Sequence, residues 1–387
     1  MLAISSIPKF SPAPWPWRTR LWWLLWSRCP GVGPQRTLAL IQAFGCLETA
    51  WRASGPTLAK LCHWSDRLLV AVESYRLQWG PDPVPQAAHL WNGGRRVLVP
   101  GDPRWPAGID RAPPPPAALY WRGHGSLWPH LSARRAVAVV GTRRPSRHGL
   151  SVARQIGGVL AQGGWPVVSG LAAGIDGAVH QGCLEREGAP IGVLGTPLER
   201  VYPRQHAHLQ AAVGERGLLL SELPPGASVS KGSFALRNRL QVALACAVIL
   251  VECPLGSGAL HSAELAWKEG LPLWVVPADT GRASAEGSNA LLARGATPLT
   301  RPEELLTFLG TGPLGLPTAT PQQVPETPAE ETRTRKGRIL SAIGRGASLE
   351  DLCSAMESSS QELLPHLLDL EASGCVVMEP GLFWRLR

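Results

Sequence analysis

The chain has 387 residues, 44% of them hydrophobic, which allows two or three domains with buried cores. Its 38 Lys and Arg against 29 Asp and Glu give a formal charge of +9, which favours an anionic partner such as nucleic acid, beside the plainer reading of general basicity. Eight cysteines without a C-x-x-C pair exclude a disulfide framework and a zinc site, and point to reduced, buried thiols.

Residues 1–17 are rich in Pro, Ser and Trp and read as disordered. Leu-Trp-Trp-Leu-Leu-Trp at 21–26 is far too short to cross a bilayer and has no signal-peptide cleavage site, so no membrane insertion is expected and the chain is placed in the cytoplasm. Residues 18–90 form a helical domain. Its clearest piece is Cys29-Pro30-Gly31-Val32-Gly33-Pro34 followed by apolar periodicity over 37–44. This fits a helix-hairpin-helix (SAM-like) unit whose turn offers N–H groups to a DNA phosphate. It fits a plain helical hairpin equally well.

Residues 97–123 form a proline-laden connector with a short strand at 118–121, at the start of a domain spanning 91–310. Apolar runs at 136–140, 166–169, 190–194, 218–221, 248–251 and 273–276 then alternate with helical stretches at 150–162, 178–186, 206–214, 234–245 and 259–270. Alternation with wholly apolar strands means a parallel sheet covered on both faces. The fold class is therefore α/β, a doubly wound, extended Rossmann-like core with its ligand edge at the strand C-termini. Residues 311–334 have linker composition. Residues 335–387 read as a winged helix: helices at 339–343, 349–356 and 360–373, then a two-stranded wing at 375–378 and 382–384. Residues 355–360 carry no positive charge, which favours protein contact or regulation over DNA binding there.

Four turns at the sheet edge carry the chemistry. The first holds Gly141, Thr142, Arg143, Arg144 and Arg147; the second holds Ser169, Gly170, Gly174 and Asp176. Each opens a helix, whose free N–H groups and positive partial charge suit phosphate. Arginines in such a turn suggest an extended polyanion. Thr, Arg, Arg and Pro after Gly141 are too bulky for the dinucleotide fingerprint, so no nicotinamide or flavin cofactor is expected. Asp176 reads best as a helix N-cap and His180 as a packing residue, with a catalytic Asp–His pair as the other reading. The third turn opens Lys231-Gly232-Ser233-Phe234-Ala235-Leu236-Arg237-Asn238-Arg239, where basic groups flank one ring and one amide. That combination suits single-stranded nucleic acid, or marks a helix start with solvated charges and a core phenylalanine. The fourth, around Ser257 and Gly258, offers another helix N-terminus. Glu264 beyond it is an acid–base candidate or a surface carboxylate, the second being favoured.

The motifs V-G-T-R-R at 140–144, S-G-L-A-A-G-I-D-G-A-V-H at 169–180, V-L-G-T-P-L-E-R-V-Y-P-R at 193–204, L-S-E-L-P-P-G at 220–226, F-A-L-R-N-R at 234–239 and S-G-A-L at 257–260 follow one another in order. Together they resemble the DNA-processing protein A family, also called Smf, of bacterial transformation. The resemblance runs from about residue 21 to the end. It implies a non-enzymatic protein without cofactor or metal. Such a protein binds single-stranded DNA in a positively charged pocket, forms a homodimer, and loads the RecA recombinase onto incoming strands in natural transformation or general recombination. Carried onto this chain, the pocket uses Gly141, Thr142, Arg143, Ser169, Gly170, Lys231, Phe234, Arg237, Asn238 and Arg239, with Arg143 as the central clamp and Phe234 as a wall or stacking surface. Arg144, Ser257 and Gly258 complete the candidate site. Leu240-Gln241-Val242 stands where the family has an isoleucine-rich run, and His261-Ser262 replaces a threonine-containing start. The sheet edge is also similar to that of nucleotide phosphoribohydrolases acting on nucleoside monophosphates. Their P-G-G-x-G-T-x-x-E turn is not matched by 254–264, where the glutamate comes later.

Overall fold

In a computed structural model of the chain, residues 15–92, 96–315, 335–343, 346–372, 375–379 and 383–386 are described. The expected disordered start, up to residue 14, and the linker from 316 to 334 lie outside them. The chain divides into two compact units, Met1–Leu316 and Pro317–Arg387.

The first unit opens with six helices: α1 (Trp17–Ser27), α2 (Pro34–Phe44), α3 (Leu47–Arg52), α4 (Gly55–Cys62), α5 (Asp66–Trp79) and α6 (Val84–Asn92). All six side chains of 21–26 are buried, as befits a helix apolar on every side. Three ring donors of this layer find carbonyl partners. Trp26 Nε1 donates to the Leu47 carbonyl (3.0 Å), Trp23 Nε1 to that of Ala117 (2.7 Å), and the Tyr75 hydroxyl to that of Leu25 (3.0 Å). In the turn between α1 and α2, Gly31 has φ +80°, a conformation other residues adopt at a cost. Pro34 then starts α2 with its φ already set.

Strands and helices then alternate: β1 (Arg96–Leu98), β2 (Leu119–Gly123), α7 (Trp128–Ser132), β3 (Val137–Val140), α8 (Arg147–Gln162), β4 (Val167–Ser169), α9 (Ile175–Glu185), β5 (Pro190–Leu194), α10 (Ala207–Arg216), β6 (Leu218–Ser221), α11 (Lys231–Ala243), β7 (Ala247–Leu250), α12 (Gly258–Lys268), β8 (Leu273–Val275), α13 (Glu286–Ala293), β9 (Thr297–Pro298) and α14 (Glu304–Leu309). Among the described residues, nine strands form one sheet in the order β1-β2-β6-β5-β4-β3-β7-β8-β9. From β6 to β9 every pairing is parallel; β2 and β1 extend the edge antiparallel. The doubly wound α/β expectation holds, and β1 and β9 are additions to it.

Strand periodicity divides the core in two. Ala136, Ala138 and Val140 point toward α7, α11 and α12, packing with Trp128, Leu240 and Ala263. Val137 and Val139 point the other way, onto Ala153, Ile156 and Val179 of α8 and α9. The helical layer shares its core with the antiparallel edge, where Val97, Val99, Ala118 and Tyr120 join the cluster around Trp23 and Trp26. The strand order reverses at β3, which has β4 on one side and β7 on the other. A crevice opens at such a switch point, beyond the strand C-termini.

The second unit contains α15 (Arg335–Ile343), β10 (Ala347–Ser348), α16 (Leu349–Met356), α17 (Ser360–Ala372), β11 (Val376–Glu379) and β12 (Phe383–Leu386). Its strands pair antiparallel in the order β10-β12-β11, over a core of Ile339, Ile343, Leu352, Leu363, Leu367 and Trp384. No disulfide joins cysteines among the described residues; Cys29, Cys183 and Cys253 are buried, Cys62, Cys246 and Cys353 half-buried, and Cys46 and Cys375 exposed, a correction to the expectation of buried thiols.

Candidate nucleic-acid interface

The switch-point crevice is a cleft of about 530 Å³ between the turns after β3 and β7 and the first turns of α11 and α12. Ten of the candidate residues line it: Gly141, Thr142, Arg143, Arg144, Lys231, Phe234, Arg237, Asn238, Ser257 and Gly258.

The turn after β3 is held rigidly. The Thr142 N–H donates to the Glu252 carbonyl (2.7 Å), and the Thr142 carbonyl accepts from Ile175 N–H (3.2 Å). Its hydroxyl accepts from Arg144 N–H (3.2 Å). Gly141 is needed because a Cβ there would lie 2.6 Å from Ile175 Cγ1. Ser146 caps α8 by accepting from Gly149 N–H (3.0 Å), and its own hydroxyl donates to buried Glu252 (2.7 Å). This frame leaves Arg143 and Arg144 exposed at the mouth. The Arg143 guanidinium lies 5.4 Å from the Phe234 ring centroid.

Across the cleft, Ser230 and Ser233 form a capping box that starts α11 at Lys231. Ser233 also donates to the Gly195 carbonyl (2.9 Å), fixing this end of α11 to the loop after β5. Asn238 Nδ2 donates to the Gly258 carbonyl (3.3 Å), which links α11 to the start of α12. Ser257 caps α12. Among the described residues, Arg143, Arg144 and Lys231 form no ion pair. Three uncompensated cations and two helix N-termini therefore converge on one cleft, an arrangement that holds anions.

Arg237 lines the cleft but is only 4% exposed. It donates to the Val193 carbonyl (2.5 Å), and its other Nη lies 3.9 Å from Asp176. Burial lowers the pKa of this guanidinium, and Asp176 works against that. Burial likewise raises the Asp176 pKa, with Arg237 opposing. Ser169 and Gly170 do not reach the cleft. The Ser169 hydroxyl donates to the Val139 carbonyl (2.7 Å), and a Cβ on Gly170 would lie 1.7 Å from the Arg237 guanidinium. Both residues back the wall against which Arg237 rests.

Arg239 is also absent from the cleft. It is 5% exposed and bonds Glu222 (2.6 Å) beside a separate small cavity with Arg111 and Lys268. Residues two apart on a helix point about 200° from each other, so Arg237 and Arg239 cannot share a face. Asp176 is not the N-cap of α9 either. Gly174 holds that position, and Asp176 is the second helical residue. His180 is wholly buried and pushed down to about 3, mainly by burial, so it packs as a neutral ring. Glu264 bonds Arg294 at the surface (2.6 Å), which holds its carboxyl below the usual range.

Sequence reasoning missed Gln241 and Ser262 as site residues. Both are buried, line the cleft, and present a side-chain donor without a partner among the described residues. The signal was a glutamine inside an apolar run. It also missed Tyr202, whose ring lies 4.7 Å from that of Phe234.

Among the described residues no cluster of His, Cys, Asp or Glu could hold a metal ion, and no helix is long and apolar enough to cross a membrane. The fold and cleft define an extended Rossmann-like protein with a cation-rich cleft at its topological switch point. The family model for DNA recombination-mediator protein A matches residues 96–310, and the chain belongs to that family. It is 31% identical to protein Smf of Synechocystis over 95% of this chain and 98% of the relative. DNA processing protein A of Streptococcus pneumoniae aligns with a TM-score of 0.62 and 26% identity, over 74% of this chain and 97% of that one. Its Helicobacter pylori counterpart, solved for its single-stranded DNA binding mode, aligns with a TM-score of 0.50 and 32% identity, over 56% of this chain and 95% of that one.

Proposed function

We propose that this protein is a recombination mediator that binds single-stranded DNA in the switch-point cleft, protects the strand and loads a RecA-type recombinase onto it during DNA uptake. The observation that carries the reading is the convergence of Arg143, Arg144 and Lys231, which form no ion pair among the described residues, with two helix N-termini beside one aromatic wall. Cations without carboxylate partners are costly to gather unless an anion joins them. A row of them flanked by a ring matches the alternation of phosphate and base along a single strand. The single-stranded DNA binding named for the Helicobacter pylori relative supports it. The candidate contacts are Gly141, Thr142, Arg143, Arg144, Lys231, Phe234, Asn238, Ser257 and Gly258, with Ser169, Gly170 and Arg237 behind them.

The role is binding rather than catalysis. Buried His180 and Arg294-bound Glu264 are poor acids and bases, which speaks against nucleotide hydrolysis. A homodimer, a cytoplasmic location, a helix-hairpin-helix role for α1 and α2, and a winged-helix role for residues 335–387 belong to the same proposal. The test is a titration of single- and double-stranded oligonucleotides at two salt concentrations, with and without RecA. Single strands should bind more tightly, and strand loading should accelerate. Equal binding of both forms, or adenine released from AMP, would overturn the reading.

A further inference from the structure

We propose that Tyr202 is a second base-stacking surface, placed so that a strand gripped by phosphate at Arg143 and Lys231 lays a nucleobase on its exposed ring. The inference rests on the function proposed above and adds a subsite outside the cleft itself.

Phe234 is the ring that the sequence marks as a wall or stacking surface. Its surroundings are crowded. The Arg143 guanidinium is 5.4 Å from its centroid and the Tyr202 ring 4.7 Å, tilted by 47°. A Cβ on Gly195 would lie 2.7 Å from Phe234 Cδ1, so the backbone of the loop after β5 also presses on the ring. Phe234 thus acts as a wall, occupied on several sides. Tyr202 is 43% exposed and is the exposed ring of this aromatic pair. Its hydroxyl makes no hydrogen bond among the described residues, so nothing polar holds it in place.

The loop that presents Tyr202 is itself fixed. Ser233 ties its start at Gly195 to α11, the Thr196 hydroxyl donates to the Arg200 carbonyl (2.9 Å), and His206 Nδ1 donates to the Leu171 carbonyl (3.0 Å). Arg200 and Arg204 flank the ring in sequence, are exposed, and form no ion pair among the described residues. A solvent-facing ring on an anchored loop that also carries two exposed cations, next to the Arg143 and Phe234 pair, repeats the composition of the cleft. Stacking is tolerant of sequence because every base has a π-face, so this subsite takes any base.

The test compares a dT oligonucleotide with an abasic oligonucleotide of the same length. Loss of one stacking ring is worth roughly five- to 150-fold in affinity. Tyr202→Leu should weaken dT binding at least fivefold, leave abasic binding and the salt slope unchanged, and unfold at the wild-type temperature. Tyr202→Phe and Tyr202→Trp should restore dT binding. An equal loss on both oligonucleotides, or no loss on dT, overturns the subsite while the cleft assignment stands. Failure of the wild type to bind either oligonucleotide overturns both. Should Tyr202→Leu not fold, irradiation of the wild-type complex with 5-iododeoxyuridine DNA decides: a crosslink at Tyr202 supports the subsite, and crosslinks confined to other residues refute it.

Discussion

The cleft and the tryptophan-rich helical layer use the same cation in opposite ways. In the helical layer, Arg76 donates to the Ala50 and Ala53 carbonyls at 2.9 Å and lies 5.8 and 5.7 Å from the Trp26 and Trp51 ring centroids. Arg20 bonds the buried carboxylate of Asp102 at 2.8 Å. Every such contact is internal, so these arginines brace the fold. At the cleft mouth, Arg143 and Arg144 are exposed and form no ion pair among the described residues, and Arg143 meets the Phe234 ring. What separates a structural arginine from a binding one here is the presence of an internal carbonyl or carboxylate partner, not the residue type. Charge counted along the sequence cannot draw that line.

That contrast can be broken by substitution. The largest losses of stability should come from the braced residues. Trp26→Ala should cost about 3–5 kcal/mol in urea unfolding. Arg237→Met should cost a similar amount, about 3–5 kcal/mol, because buried Asp176 loses its ion-pair partner and must stay charged there or take up a proton. An unchanged midpoint for either would erase the distinction. His180 supplies a pH test of the same interior. Its pKa is pushed from 6.5 down to about 3, so unfolding takes up a proton between those values and stability falls as the pH drops through them. Asp176, with its pKa raised by burial, acts in the opposite sense, its contribution present in acid and lost as pH rises. His180→Leu should therefore flatten the acid limb of Tm against pH; an unaltered limb rules out a neutral buried ring.

Smaller effects sharpen the boundary between the two classes. Arg239→Ala should lose about 1–3 kcal/mol of stability through its bond to Glu222, and leave the salt slope of DNA binding untouched. Arg143→Ala should change stability by less than about 0.5 kcal/mol. It should instead reduce the slope of log K against log salt by about 0.7 for single strands. If Arg239→Ala lowered the slope and Arg143→Ala did not, the assignment of the two would be reversed.

The sheet was legible because its strands are apolar on both faces, a pattern that survives without any knowledge of neighbours. The turns after β3 and β7 were legible as cleft turns for a related reason, since each follows a strand end; the turn after β4 also follows one, yet its Ser169 and Gly170 lie behind the cleft. Phase was the harder property. Arg239 sits within a run that looks uniformly basic, yet a two-residue step on α11 carries it to the far side. The helix starts were read late as well. Ser146 and Ser230 begin α8 and α11 one turn before the expected positions, and this places Arg147 and Lys231 at the first helical residue. Tyr202 lies in a loop without periodicity, so its meeting with Phe234 depends on how α11 docks on the Gly195 backbone. Gln241 stood out as a misfit in an apolar stretch; only the strand order shows that the stretch abuts the cleft.

The shared core between the helical layer and the antiparallel edge has a practical meaning. Trp23 reaches across to the Ala117 carbonyl, and Val97, Val99, Ala118 and Tyr120 rest beneath the helices. Trimming the polypeptide just ahead of β1 would bare a greasy flank on the sheet's last strands. A shortened version made for crystallisation or for a minimal DNA-binding tool should clump unless those four positions are first repainted with polar groups.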